Sequence, residues 1–158
     1  MLVDVVVDTN VFLHAQNPSE IRFDAARTFL TSLLAADTML CVDGVFDLSA
    51  PHLSLICHEY LSHIPPTGPG YAILVRLLQT DRVQMNVSTK VLPSSRRRVV
   101  SLIPHDPRDR TFVFVASNSQ ERILVSHDWV DYTEYVRREI EKLLGVVIEE
   151  ASETLTRL

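Results

Sequence analysis

Apolar positions along this chain recur with two different periods, and the two alternate from the first residues to the last. Leu2-Val3-Asp4-Val5-Val6-Val7 is apolar and β-branched, which predicts a buried parallel strand with Asp8 standing at its end. Asn17-Pro18-Ser19-Glu20 then offers Asn at N-cap, Pro at N1 and an acid at N3, a helix start. Ala26, Phe29, Leu30, Leu33 and Leu34 follow at helical spacing and define one apolar face. Thr38 to Val42 predicts a second strand, and residues 43–50 a turn or short hairpin.

The same alternation continues. Leu53 to Ile64 carries Leu53, Ile56, Cys57, Tyr60, Leu61 and Ile64 on a helical stripe. The run Pro65 to Gly70 is a hard break. A helix from Tyr71 to Gln79 and a strand from Arg82 to Val87 come next, then a short basic helix within Pro93 to Ile103. Asp106-Pro107-Arg108-Asp109 starts another helix, with Asp106 as its N-cap and Phe112, Val113, Val115 and Ala116 on its buried face. Arg122 to Ser126 predicts a strand. Tyr132 to Leu144 predicts a helix capped by Asp131 and stopped by Gly145, and Val146-Val147-Ile148 a last strand.

Strands alternating with helices imply an α/β fold. The expectation is three layers, α/β/α, around a central, mainly parallel sheet of about five strands. One domain over residues 1–148 accounts for these elements, with 149–158 left as a polar tail. Ligands of such sheets bind outside the carboxyl ends of the strands. That rule singles out Asp8 and Asp128, each at or just past a strand end.

Composition narrows the class further. In 158 residues, 46% are apolar and 22% charged, a globular balance. No apolar run approaches the ~18–20 residues that span a bilayer, so no membrane partner is expected. Met1 to Val7 lacks a basic n-region and does not read as a signal peptide. Cys41 and Cys57 fit no zinc spacing, and two buried thiols in a reducing cytoplasm are expected. The net charge of −5 argues against a nucleic-acid partner until the acids are located. Setting aside the five acids Asp8, Glu59, Asp106, Asp109 and Asp128 leaves the rest neutral. Residues 93–110 hold Arg96, Arg97, Arg98, Arg108 and Arg110 against two aspartates, a local surplus of positive charge.

Four stretches carry candidate chemistry: VVVDTNVFLHA around Asp8, the HEY of ICHEYLSHI around Glu59, DPRDRTFVFVA around Asp109, and LVSHDWVDY around Asp128. In this order, over residues 3 to 132, they resemble the PIN domain family, which includes VapC-like toxins and RNA-processing ribonucleases. The resemblance implies a metal-dependent endonuclease that hydrolyses RNA phosphodiesters. Asp8, Glu59, Asp109 and Asp128 would be its catalytic acids, holding Mg²⁺ or Mn²⁺. It also admits the toxin of a toxin–antitoxin pair, with an antitoxin partner and a homodimer. Ser126-His127 stands where the family commonly has Thr and a small or polar residue.

The residue types suit that chemistry. Mg²⁺ takes hard oxygen ligands, and paired metals stabilise the attacking and leaving oxygens of a phosphodiester. Clustered carboxylates raise one another's pKa unless a cation is present. Arg96, Arg97 and Arg108 are candidates for holding substrate phosphates, and Thr9, Asn10 and Ser126 for orienting a water or phosphate oxygen. Trp129 is a candidate for stacking on a base, against a packing role. His127 and His105 neighbour the acids, but the six histidines form no HExxH spacing.

Two other functions compete. A non-catalytic PIN scaffold would bind RNA or a protein partner without hydrolysis. A haloacid-dehalogenase-like phosphatase would want Asp-x-Asp after the first strand, where position 10 is Asn, and a suitably placed lysine, where Lys90 and Lys142 are the only two. A Rossmann oxidoreductase is excluded by the lack of G-x-G-x-x-G.

Overall fold

The first strand forms where four buried residues, Asp4–Val7 (β1), sit between neighbours on both sides. The structure is a computed structural model and describes residues 1–86 and 90–158. The other strands are Met39–Asp43 (β2), Val83–Asn86 (β3), Ile123–Val125 (β4) and Val147–Glu149 (β5). They pair in the order β3-β2-β1-β4-β5, and every pairing is parallel. Of the expected strand Arg82 to Val87, Val87 lies outside the described residues.

Helices Thr9–His14 (α1), Phe23–Ala35 (α2), Leu55–His63 (α3), Pro69–Gln79 (α4), Pro93–Leu102 (α5), Pro107–Ser117 (α6), Glu134–Leu144 (α7) and Ala151–Thr154 (α8) complete the α/β/α layers. The apolar periodicity explains most of them. Ala26, Phe29, Leu30 and Leu33 are the buried face of α2, and Leu34 packs against it half-buried. Helix α6 buries six consecutive residues, Thr111 to Ala116, because it lies against β1, β2 and β4. Gly145 ends α7 at φ 69, the left-handed conformation a C′ glycine adopts without a Cβ penalty. Cys41 and Cys57 are free, buried thiols. No helix among the described residues is long and apolar enough to cross a membrane.

The topology places the site. From β1 the chain moves outward to β2 and β3, then returns to the other side of β1 for β4 and β5. The strand order therefore reverses between β1 and β4, and a crevice opens outside their carboxyl ends. Two polar contacts fix this junction. Asp4, buried at the start of β1, accepts the backbone N–H groups of Gln120 and Glu121 at 2.8 and 2.9 Å, which sets the turn into β4. The Tyr60 hydroxyl on α3 donates to the Val7 carbonyl at 2.5 Å, which ties α3 to the end of β1.

The structure differs from the sequence expectations at both ends of the chain. Asn17-Pro18-Ser19-Glu20 is not a helix start; the Asn17 side chain accepts from Ser19 N–H and its carbonyl from Glu20 N–H, closing a turn, and α2 begins six residues later at Phe23. The short helix α1 directly after Asp8 had no counterpart in the periodicity, since six residues are too few to show it. Residues 149–158 are not a polar tail. Glu149 completes β5, Ala151 and Thr154 are fully buried, and Glu150 and Glu153 form a reciprocal capping box that starts α8 against α2. The acidic side chains that suggested a tail serve as helix caps.

Deleting residues 149–158 removes the last ladder position of β5 and the α8–α2 contact. The expected outcome is loss of a cooperative thermal transition, with exposed apolar surface read by dye binding. Removal of a true tail would leave the melting temperature unchanged.

Candidate metal centre

Asp8 occupies the N-cap position of α1 in backbone terms, yet its side chain makes no capping hydrogen bond. Its carboxylate serves the crevice instead. Oδ2 accepts from the Ser126 hydroxyl at 2.6 Å and from the Asn10 amide at 2.8 Å. Ser126 follows β4, so this bond closes the β1–β4 junction beyond the ladder. The Asp8 N–H to Val125 carbonyl bond at 2.9 Å extends the ladder itself. Asn10 also accepts from the His127 N–H at 3.0 Å, and Ser126 accepts from the Asp128 N–H at 3.0 Å. Asp8, Asn10 and Ser126 thus form one polar unit that fixes the loop carrying Asp128.

Three carboxylates converge beside this unit. Oxygens of Asp109, Asp128 and Asp131 lie within 4.8 Å of one another. Asp109 comes from the first turn of α6, and the other two from the loop after β4. Asp128 Oδ1 accepts the N–H groups of Val130 and Asp131 at 2.7 and 3.0 Å, a tight turn that brings Asp131 back toward Asp109. The buried Tyr132 hydroxyl donates to the Asp109 carbonyl at 2.8 Å and pins the loop to α6. Arg137, buried on α7, donates to the carbonyls of Asp128, Tyr132 and Ile148 at 3.0, 2.7 and 3.1 Å and holds the loop from beneath.

The electrostatics follow from the geometry. Burial pushes Asp8 up to about 6; the charge of Asp128 adds to this, while the Ser126 bond and the nearby N–H groups of Thr9 and Asn10 work against it. Asp109 is pushed up to about 9, first by burial and then by the charges of Asp8 and Asp106 and by Asp131, to which it is hydrogen-bonded. Without a cation the crevice must therefore hold protons. The Thr9 hydroxyl, next in sequence to Asp8, is buried with no hydrogen-bond partner among the described residues. Hard oxygen donors and like-charge strain together fit a small divalent cation.

Of the sequence-predicted acids, Asp109 and Asp128 converge, and Asp8 lies beside them as a buried neighbour, raised in part by the charge of Asp128 and itself raising Asp109. Glu59 does not join them. Its two oxygens face Arg108 Nη1 at 2.9 Å and His63 Nδ1 at 3.3 Å, so its charge is balanced at the mouth of α6. Asp43 explains where Glu59 sits. The Asp43 carboxylate accepts from the Ser54 hydroxyl and from Leu55 N–H, and this anchors the start of α3 to the end of β2. Asp106 is the N-cap of α6, as expected, accepting from Arg108 N–H at 2.8 Å, and the Arg108 side chain holds its carboxyl below the usual range against the effect of burial.

Asp131 corrects the sequence reading. Thr133, not Asp131, caps α7, accepting from Val136 N–H, so Asp131 is freed for the acid cluster. Asp128 and Asp131 lie three apart, a spacing that suggests one helical face. Here a turn in the loop brings them together instead.

The arginines also separate by role. Arg108 bridges Glu59 and Asp106 at the edge of the site. Arg96 lies over the Phe114 ring, 4.2 Å from its centroid, and Arg98 bonds Tyr135 and Glu139 on α7. Arg97 is exposed on α5.

A cleft of about 410 Å³ adjoins the acids and shares Asn10 and Asp128 with them. His14 and His127 stack along it at 5.0 Å between ring centres, with their Nδ1 atoms 2.8 Å apart. His127 Nε2 accepts from Ala151 N–H at 3.4 Å, so Nδ1 carries its proton and donates to His14. Burial, and then the neighbouring His14, holds His127 down at about 4, and burial likewise lowers His14. His14 was not a sequence candidate; only its position on α1, one and a half turns past Asp8, marks it.

No protein-family model matches the chain, no curated protein matches it, and no solved structure matches it.

The acid cluster has a readable consequence for stability. Asp109 binds its proton more tightly folded than unfolded, so the folded state carries more protons wherever pH lies between its unfolded and folded pKa values. Cation-free stability must then fall as pH rises through that window. Between about pH 6.5 and 8 the lowered histidines oppose this fall and the raised thiols add to it, alike in parent and Asp109→Asn, so the difference between the two proteins isolates Asp109. In that interval the melting temperature of chelated protein should fall more, or rise less, with pH in the parent than in Asp109→Asn, and Mn²⁺ should raise the parent's melting temperature more at pH 8 than at pH 6.5. A parent and variant with equal slopes would show that Asp109 is not the strained group.

Proposed function

We propose that this protein is a Mg²⁺- or Mn²⁺-dependent phosphodiesterase that cleaves RNA. The observation that carries the reading is the convergence of Asp109, Asp128 and Asp131 beside buried Asp8, at the point where the strand order of a parallel sheet reverses. The ordered likeness of four sequence stretches to PIN-domain ribonucleases supports RNA as substrate, and with it the toxin of a toxin–antitoxin pair as a cellular role.

In this reading Asp109, Asp128 and Asp131 would hold the cation, with Asp8 beside them at the end of β1. A divalent cation bound there would supply positive charge to the phosphate and an acidified water as nucleophile. The remaining work falls to the chain. Ser126 and Asn10 keep Asp8 in one orientation and prevent it from capping α1. Tyr132 and Arg137 hold the two loop acids against α6 without spending a carboxylate on either contact. Arg108, fixed between Glu59 and Asp106, stands at the rim with part of its guanidinium exposed, where a flanking phosphate can pair with it. In hydrolysis water adds to phosphorus, one P–O ester bond breaks, and the leaving oxygen takes a proton. Glu59, balanced by Arg108 and His63, supports this rim in place of the ligand role that the resemblance implies.

Asp8→Asn keeps the shape and the two hydrogen-bond partners while removing the charge. It should lower Mn²⁺-dependent cleavage of a single-stranded RNA by more than the roughly 10–100-fold that loss of a supporting partner costs, with an unchanged circular-dichroism spectrum. Equal cleavage by variant and parent would sink the reading. An absence of cleavage in both, with Mn²⁺ binding by calorimetry also absent, would favour a non-catalytic scaffold.

A further inference from the structure

Resting on the phosphodiesterase reading, we propose that the cleft beside the acids is a nucleotide subsite in which Trp129 stacks on an unpaired base next to the scissile phosphate. Trp129 is the single tryptophan of the chain. It directly follows Asp128, lines the cleft that Asn10 and Asp128 share with the acids, and is 45% exposed. The ring thus offers a broad flat surface at the mouth of a polar site.

The ring is held as a platform. Its Nε1–H donates to Glu150 Oε1 at 2.6 Å, which fixes the edge. The Arg137 guanidinium lies 3.7 Å from the ring centroid and covers one face. Arg137 is itself immobilised by its three backbone carbonyls, and Glu150 by Arg22 at 3.1 Å and by the capping box of α8. With one face and one edge occupied, the exposed surface is left to the remaining face. Little side-chain freedom is then lost when a base stacks there.

The charge around the cleft selects a base over a phosphate. Glu20 and Asp128 line it, and Arg22, its one arginine, is already paired with Glu150 and Glu20. A phosphate would meet carboxylates, whereas a neutral base presents an aromatic face to Trp129 and N–H groups to the acids. The cleft volume falls in the range of small-ligand sites. A base within a duplex has no free face, so the ligand is single-stranded.

The test uses Trp129 as its own reporter. In the Asp8→Asn protein with Mg²⁺, titration with a short oligouridylate should quench the tryptophan fluorescence to saturation. In steady-state cleavage with Mn²⁺, Trp129→Ala should raise KM by about tenfold to a hundredfold with kcat changed little, and Trp129→Phe, which still stacks, should recover most of that loss. Melting temperatures of both variants guard against misfolding. If the parent cleaves RNA but no quench occurs, or if the alanine variant keeps the parent KM, the subsite is wrong while the phosphodiesterase stands. Equal KM losses in Ala and Phe variants also overturn it, because they point to the indole N–H bond rather than stacking. If the parent does not cleave, the phosphodiesterase fails, and the titration decides the platform by itself: saturable quenching supports it and none overturns it.

Discussion

A carboxylate at the end of a strand buried on both faces must be solvated by the protein, because water cannot reach it freely. That constraint on Asp8 organises the site. Ser126 and Asn10 supply the hydrogen bonds, and since Ser126 belongs to the far side of the β1–β4 junction, solvating Asp8 also locks the two central strands at their open end. The loop after Ser126 inherits its direction from this bond. Asp128, Trp129 and Asp131 are placed by a hydroxyl group that touches none of the three side chains.

The acids beyond Asp8 divide by partner. Asp4 accepts from two backbone N–H groups, Asp43 from the Ser54 hydroxyl and Leu55 N–H, and Asp106 from the Arg108 N–H and guanidinium, and the three do structural work at a turn and two helix starts. Glu59 and Asp106 share Arg108. Asp109, Asp128 and Asp131 meet one another instead of a cation side chain. The negative charge is thus unevenly held: Glu59 and Asp106 are balanced by Arg108, while Asp109, Asp128 and Asp131 are gathered in one place.

The fold was legible where periodicity is long. Helix α2, helix α6 and the five strands follow directly from apolar spacing, and the parallel order follows from their alternation. Short elements were not legible. Helix α1 has too few residues to display a period, and α8 is concealed because its capping glutamates read as a solvated tail. In the site, Asp8, Asp109 and Asp128 could be picked out because each abuts a strand end or a helix start. Asp131 could not, since an acid just ahead of a helix is ordinarily its cap, and only the structure shows that Thr133 takes that place. Glu59 shows the converse limit: its place on α3 was foreseen, but an arginine 49 positions later decides what its charge does.

Arg137 carries a further meaning. It is a buried cation whose hydrogen bonds go to carbonyl oxygens rather than to a carboxylate, and burial lowers its pKa. Its charge is therefore not cancelled by a paired acid, and it stands under the loop that carries two of the clustered aspartates. Its three carbonyl contacts hold the loop from α7 without drawing on any of the clustered carboxylates. On the proposed reading, a cation would then meet a loop already in its final shape and would not have to fold one.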